Sequence, residues 1–337
     1  MLKRKGFCRL RVFVLVFLLC SVDCSVHVTD ARATNGVPGT LVRQESCSPL
    51  APYEDLDKFA KWYFSQSVYE DARSQTNYEC SHIWYLSDDI PISGYVLKPK
   101  LTENRLWPVI LYARGGTGNF GVINDLNRVE LYLLAKEGYV VVATDYRWTG
   151  ERARQDDWGA QTVNDILNLV PLVKNLRYAD VKRMFLLGVS RGGTMTYMAL
   201  RAGIPVTAAA VVAGPSDLET LVISRPDFLT GDEYSDGWAK LWPEFEHRKQ
   251  EHFRARPAVS WADQINVPVL ILHSRNDSKI PVSQAFAIAE KLQQYKKEYE
   301  LVIYGNDGHS LPLNRANRNQ HIINWFQLHD SKEGSSR

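Results

Sequence analysis

Residues 185–200 read FLLGVSRGGTMTYMAL: an apolar run, a serine between two glycines, then apolar residues at helical spacing. The run predicts a buried strand over 184–189, and the pattern after it predicts a helix over 191–202. A strand that turns directly into a helix at Ser190 has two readings. One is a tight turn that needs small residues; the other is a strained turn that lifts the serine hydroxyl above the sheet. Side chains at Gly188 and Gly192 would collide in so sharp a turn, which accounts for both glycines. The rest of the chain decides between the readings.

Outward from this stretch, β-branched and apolar runs predict strands at 94–97, 109–113, 139–144, 206–213, 267–272 and 299–304. Between them, helical periodicity predicts helices at 125–137, 161–177, 283–297 and 315–329. Alternation of short buried strands with helices implies an α/β fold with a mostly parallel sheet covered on both faces. Two parts break the alternation. Residues 53–79 predict a helix and an extended segment, too short to fold alone and best treated as an extension of the sheet domain. Residues 215–262 are rich in aromatics (Phe228, Tyr234, Trp238, Trp242, Phe245, Phe253, Trp261) and read either as a small helical cap over a cleft or as ordinary packing of an irregular excursion. The expected organisation is a leader at 1–24, an N-terminal extension at 25–80 and a catalytic domain at 81–330 that carries the insertion.

In open parallel sheets, chemistry collects at the carboxyl ends of the strands. A serine hydroxyl is a poor nucleophile unless a histidine takes its proton and an acid holds that histidine. The predicted strand ending VLILH runs into SRNDSKIP, and the next, ending LVIY, into GNDGHSL. These supply Asp277 and then His309, in the Ser, Asp, His order of an α/β-hydrolase. Asp217 is the reserve acid, and Asp307 stands too close to His309 in sequence to be favoured. His273, His247, His252, His321 and His329 read as structural. The Arg191 backbone N–H opens a helix where an oxyanion would form. A second donor is expected from the loop RGGTGNFG at 114–121, where Gly115 and Gly116 let the backbone approach a substrate. That loop lacks the Gly-Lys-Ser/Thr ending of a phosphate cradle.

The chain is 45% apolar and 23% charged, an ordinary globular makeup, with a formal charge of +2. Lys3, Arg4, Lys5, Arg9 and Arg11 supply the excess, and without residues 1–24 the charge becomes −2. A near-neutral body gives no case for nucleic-acid binding. The basic start is followed by an apolar core at 12–22, too short as a helix to cross a bilayer core of about 30 Å. It reads as a signal peptide for secretion or export to a periplasm rather than as a membrane anchor, cut after Cys24 or near Ala33. Neither Cys20 nor Cys24 follows the small residue that lipidation requires. Cys47 and Cys80 remain, either as one disulfide or as two buried thiols. No metal-ligand spacing and no cofactor motif occurs, so neither a metal nor an organic cofactor is expected.

The segments LYARGGTGNFG, TDYRWTGE, VNDILNLVPLV, GVSRGGTMTYMAL, AVVAGPSDL, VPVLILHSRNDSKIPVSQA and YELVIYGNDGHSL resemble the catalytic domain of the prolyl oligopeptidase family of serine peptidases, over roughly residues 90–327. The resemblance implies Ser190 as nucleophile, Asp277 as acid and His309 as base, the same three residues reached above. It also implies a peptide substrate, with an acyl ester as the rival and a catalytically silent binding protein as the reading from another class. Three departures stand out. The residues before the sheet are too few for the family's β-propeller. Arg114 stands where members often have tyrosine or histidine, leaving the backbone or the guanidinium as oxyanion donor. Trp148 replaces a small residue and is expected to reshape the pocket wall.

Overall fold

The computed structural model describes residues 36–100, 105–231, 247, 251, 253 and 255–330. The leader at 1–24 lies outside them, as do Tyr234, Trp238, Trp242 and Phe245 of the insertion. Nine strands form one sheet: β1 (Leu41–Ser46), β2 (Tyr78–Ser87), β3 (Ile90–Pro99), β4 (Trp107–Ala113), β5 (Val140–Thr144), β6 (Ala179–Val189), β7 (Ala208–Val212), β8 (Val269–Ser274) and β9 (Tyr299–Tyr304). Their order is β1-β2-β3-β5-β4-β6-β7-β8-β9. The β5 to β9 portion is parallel, and β1, β2 and β3 add an antiparallel edge.

The helices are α1 (Lys58–Tyr63), α2 (Gln66–Ser74), α3 (Asp125–Ala135), α4 (Val163–Leu167), α5 (Leu169–Lys174), α6 (Arg191–Arg201), α7 (Leu218–Ser224), α8 (Asp227–Thr230), α9 (Ser283–Gln294) and α10 (Arg315–Leu328). Strand side chains alternate between two cores. Val109, Leu111, Leu186, Val211 and Ile271 pack under α4, α5, α6 and α9, whereas Ile110, Tyr112, Leu187, Val212 and Leu272 pack under α2, α3 and α10. Both faces are covered, which is why the strands read as continuous apolar runs.

Two expectations need correction. The single helix expected at 161–177 is two short helices that meet at Asn168. Pro171 has no N–H to return to the Leu167 carbonyl, so one continuous helix would leave that group unpaired. Strand β6 begins at Ala179 rather than 184, because its first five residues, with Asp180, Lys182 and Arg183 among them, lack the apolar signature. The boundary at residue 80 falls inside β2. Cys47 at the end of β1 is bonded to Cys80, with Cα atoms 5.4 Å apart, so the extension is part of the sheet. Phe228 and Phe253 pack with Leu218, Leu221, Val222, Trp158 and Ile280 in a small cluster, while Trp261 belongs to the main core.

Candidate functional site

Ser190 follows the last residue of β6, whose Gly188 is in register with Ala113 of β4 and Val211 of β7. Its backbone takes φ 56 and ψ −125, a costly conformation for a residue with a side chain. The Ser190 N–H donates to the Val212 carbonyl at 2.8 Å, and its own carbonyl accepts from Gly193 N–H at 2.7 Å. The neighbouring glycines are required by contact. A Cβ on Gly188 would lie 2.1 Å from the Gly192 oxygen, and one on Gly192 would lie 1.9 Å from the Ala113 oxygen.

The loops after β6, β8 and β9 bring three side chains together. His309 Nε2 is 2.8 Å from Ser190 Oγ, and His309 Nδ1 is 2.8 Å from Asp277 Oδ2. The other Asp277 oxygen accepts the Lys279 and Ile280 N–H groups at 2.8 and 2.9 Å. Burial pushes the Asp277 pKa up, but the hydrogen bond and charge of His309, with the Ile280 N–H and His273, hold it below the usual carboxylate range. An ionised Asp277 accepts, so Nδ1 carries the imidazole proton. That leaves the Nε2 lone pair facing the serine O–H.

The reserve and excluded candidates have other tasks. Asp217 caps α7, accepting from Glu219 N–H at 3.1 Å and Thr220 N–H at 3.4 Å. His273 Nε2 is 2.8 Å from the Ile280 carbonyl, and burial holds its pKa low. Asp307 organises the His309 loop. It accepts from the N–H groups of Gly308, Leu313 and Asn314 at 2.8, 3.2 and 2.9 Å and from the Asn314 side chain at 2.9 Å. Ser310 and Leu311 within that loop both have positive φ.

Gly115 lies against the serine: a Cβ there would be 3.1 Å from Ser190 Cβ and 3.7 Å from Oγ. Gly116 has φ 78, and a Cβ there would meet the Phe120 carbonyl at 2.1 Å. The Arg191 N–H opens α6, where it has no intrahelical acceptor. The Arg114 side chain is buried. It donates to the carbonyls of Asp145, Gly115, Phe120 and Gly118, which occupies its N–H groups and shapes the loop from inside. Trp148 is not among the residues that line the two cavities described below.

Sequence reasoning assigned no role to Asp145, Tyr146 or Asp156. Asp145 accepts from Ile123 N–H and the Ser93 hydroxyl, each at 2.8 Å. The Tyr146 hydroxyl donates to the Arg114 carbonyl at 3.0 Å, and the guanidinium carbons of Arg114 and Arg191 lie 4.9 and 5.0 Å from its ring centroid. Asp156 holds Arg191 and also accepts the Gly118 N–H at 2.7 Å. Their only signal in the sequence was acidic and aromatic residues, Asp145 and Tyr146 directly after an apolar strand and Asp156 farther along the same connection. Two cavities, of about 220 and about 140 Å³, converge on Ser190 and His309. Among the described residues, no group of three or more His, Cys, Asp or Glu side chains is placed to hold a metal ion. No helix among them is long and apolar enough to cross a membrane.

Comparison with known proteins matches residues 125–332 to the model of the prolyl oligopeptidase family. The uncharacterized peptidase YuxL of Bacillus subtilis is 26% identical over 267 residues, covering 73% of this chain and 38% of that protein. The uncharacterized peptidase YtmA of the same organism is 25% identical over 232 residues, covering 68% and 86%. The acylaminoacyl peptidase of Pyrococcus horikoshii superposes with a TM-score of 0.63 at 23% identity, covering 78% of this chain and 44% of that one. Its likeness is one of fold, that of an α/β-hydrolase. The chain therefore spans less than half the length of YuxL and of the archaeal enzyme, and most of YtmA.

Proposed function

The chain belongs to the prolyl oligopeptidase family, and from that premise we propose that it is a serine peptidase that cleaves short peptides through Ser190. The observation that carries this reading is the unbroken hydrogen-bonded line from Ser190 Oγ through His309 to Asp277, with both links at 2.8 Å. Ser190 attacks the scissile carbonyl carbon as His309 Nε2 takes its proton, and Asp277 stabilises the imidazolium. The N–H groups of Arg191 and of the 115–116 loop receive the negative charge on the carbonyl oxygen. One such donor is worth about 3 to 4 kcal/mol of transition-state stabilisation. His309 then returns the proton to the departing amine. Water attacks the resulting acyl-enzyme with His309 again as base, restoring Ser190.

A fluorophosphonate probe tests the nucleophile: the protein is expected to be labelled and Ser190→Ala is not. Equal labelling of both removes Ser190 from the reaction. Turnover of peptide anilides beside acyl esters then separates peptidase from esterase. Hydrolysis of many esters with none of peptides assigns the site to esters.

Secretion or export to a periplasm is part of the same proposal. It is supported by the basic, then apolar, start of the chain and by the Cys47–Cys80 disulfide, which persists in oxidising compartments. Loss of export on deletion of residues 1–24 from the native gene is the expected result, and unchanged export refutes it.

A further inference from the structure

The larger cavity beside Ser190 has an apolar floor made by Tyr112 of β4, Leu134 of α3, Leu187 of β6, Val212 of β7 and Ile322 of α10. The charged side chains in its wall are spent on neighbours. Glu130 accepts Arg318 Nη2 at 2.6 Å and Arg315 Nε at 2.7 Å, and Arg318 also donates to the Ser310 carbonyl and the Asn319 side chain. The Arg114 guanidinium is committed to loop carbonyls, as described above. A charged group entering here would lose its hydration and meet ion pairs already formed.

Tyr63, the last residue of α1, supplies another part of the wall. Its ring stacks on Phe59 at 5.6 Å, meets Phe64 edge-on at 4.9 Å, and has the Arg315 guanidinium 4.0 Å from its centroid. Helix α1 lies in the N-terminal extension, well before the segment at 125–332 that matches the family. The wall residue nearest the start of the chain therefore comes from a part of the protein outside the family match.

We propose that this cavity is a substrate subsite for one large, uncharged and preferably aromatic side chain next to the scissile bond, with Tyr63 as its specificity-determining wall. The assignment rests on Ser190 being the nucleophile, because the cavity opens at that hydroxyl and at His309. Size supports an aromatic occupant. An apolar cavity of about 150 Å³ holds benzene, so about 220 Å³ admits groups from phenyl to indole. Tyr63 and Tyr112 add ring-to-ring contacts that an aliphatic chain of equal area does not make.

Two measurements test this on the full chain. In the first, internally quenched peptides vary the residue on either side of the cleaved bond among Ala, Leu, Phe and Trp. The wild-type protein is expected to prefer Phe or Trp at one of these positions. Tyr63→Ala should cut that preference in kcat/KM roughly five- to tenfold, with Phe- and Trp-bearing peptides losing far more than Ala-bearing ones, and Tyr63→Phe should retain the preference. A uniform fall across the panel, or no change, overturns the proposal. In the second, 3-methylindole, the tryptophan side-chain analogue, is titrated calorimetrically into Ser190→Ala protein with and without Tyr63→Ala. Weaker binding, again about fivefold or more, is expected when the Tyr63 ring is removed; equal affinity, or no binding to either, overturns the proposal. The titration needs no turnover, so a protein that shows Tyr63-dependent binding but no hydrolysis refutes the peptidase reading and leaves the subsite standing.

Discussion

The Arg191 guanidinium grips both oxygens of the Asp156 carboxylate, at 2.5 and 2.6 Å, with both side chains only 1% exposed. The residue that follows Ser190 is thus tied to the segment that follows β5, and the same carboxylate holds the glycine loop through the Gly118 N–H. Asp156→Asn leaves a buried guanidinium without its counter-charge, a change that costs about 3 to 5 kcal/mol. A clear drop in melting temperature is expected, together with slower fluorophosphonate labelling, because the loop and the start of α6 lose a common anchor. An unchanged melt and labelling rate would show that the pair holds neither.

Asp277→Asn should be far more severe in activity than in folding, because it also gives up the modest stability that the depressed carboxylate supplies. The Lys279 and Ile280 N–H groups dictate that the side-chain position they touch stays an acceptor. The amide introduced by the substitution must then point its NH₂ at His309, which turns Nδ1 into an acceptor and puts the imidazole proton on Nε2, facing the serine. A wrong tautomer of this kind costs about 10⁴ in kcat. Peptide turnover and the melting temperature, measured on the same preparation, check both halves of the prediction.

Asp307 contributes to the site without touching it. Asp307→Ala removes the acceptor of four hydrogen bonds that hold a loop with two residues at positive φ. Displacement of His309 by about 1 Å is enough to lower kcat about 10²-fold. Asp307→Asn keeps an acceptor oxygen and should recover part of the loss. Full activity in the alanine variant would remove Asp307 from any positioning role.

Stability should fall in acid, and the sign follows from Glu130 and Asp277. Burial pushes the Glu130 pKa up, but the charges of Arg318 and Arg315 hold it below the ordinary glutamate value. Asp277 is also depressed. A folded-state pKa below the unfolded value gives stability that is fully present above the unfolded pKa, about 4, and is lost as pH falls through the folded one. Asp145 and Asp165, raised by burial, act in the opposite direction. Urea midpoints between pH 6 and pH 3 should fall less steeply for Glu130→Gln than for the wild type, from a lower starting value. Equal slopes would show that Glu130 contributes nothing to the acid transition.

The Cys47–Cys80 bond closes a separation of 33 residues that contains α1 and α2. A loop of that length is worth about 3 to 4 kcal/mol in the chain-entropy model. Replacing both cysteines with serine should lower the melting temperature accordingly. Small fluorophosphonates should label the variant almost as fast as the wild type, because Ser190, Asp277 and His309 all lie outside the closed loop.

The residues alone determined the kind of protein this is. Apolar runs alternating with helical periods dictated an α/β order, the glycines beside Ser190 dictated a turn that only small residues allow, and Asp277 and His309 were recognisable as polar residues just beyond buried strands. Element type and turn chemistry are carried by neighbours in the chain, so a short window is enough to read them. Tertiary structure decided the rest. Ser190 and His309 stand 119 positions apart and meet at 2.8 Å, Arg191 finds Asp156 across 35, Cys47 pairs with Cys80, and Tyr63 of the extension arrives at a cavity floored by the sheet. Each of these contacts depends on the register in which strands pair and on how helices seat against them. That register is a sum over many weak packing terms from the whole chain, and no local stretch of sequence contains it.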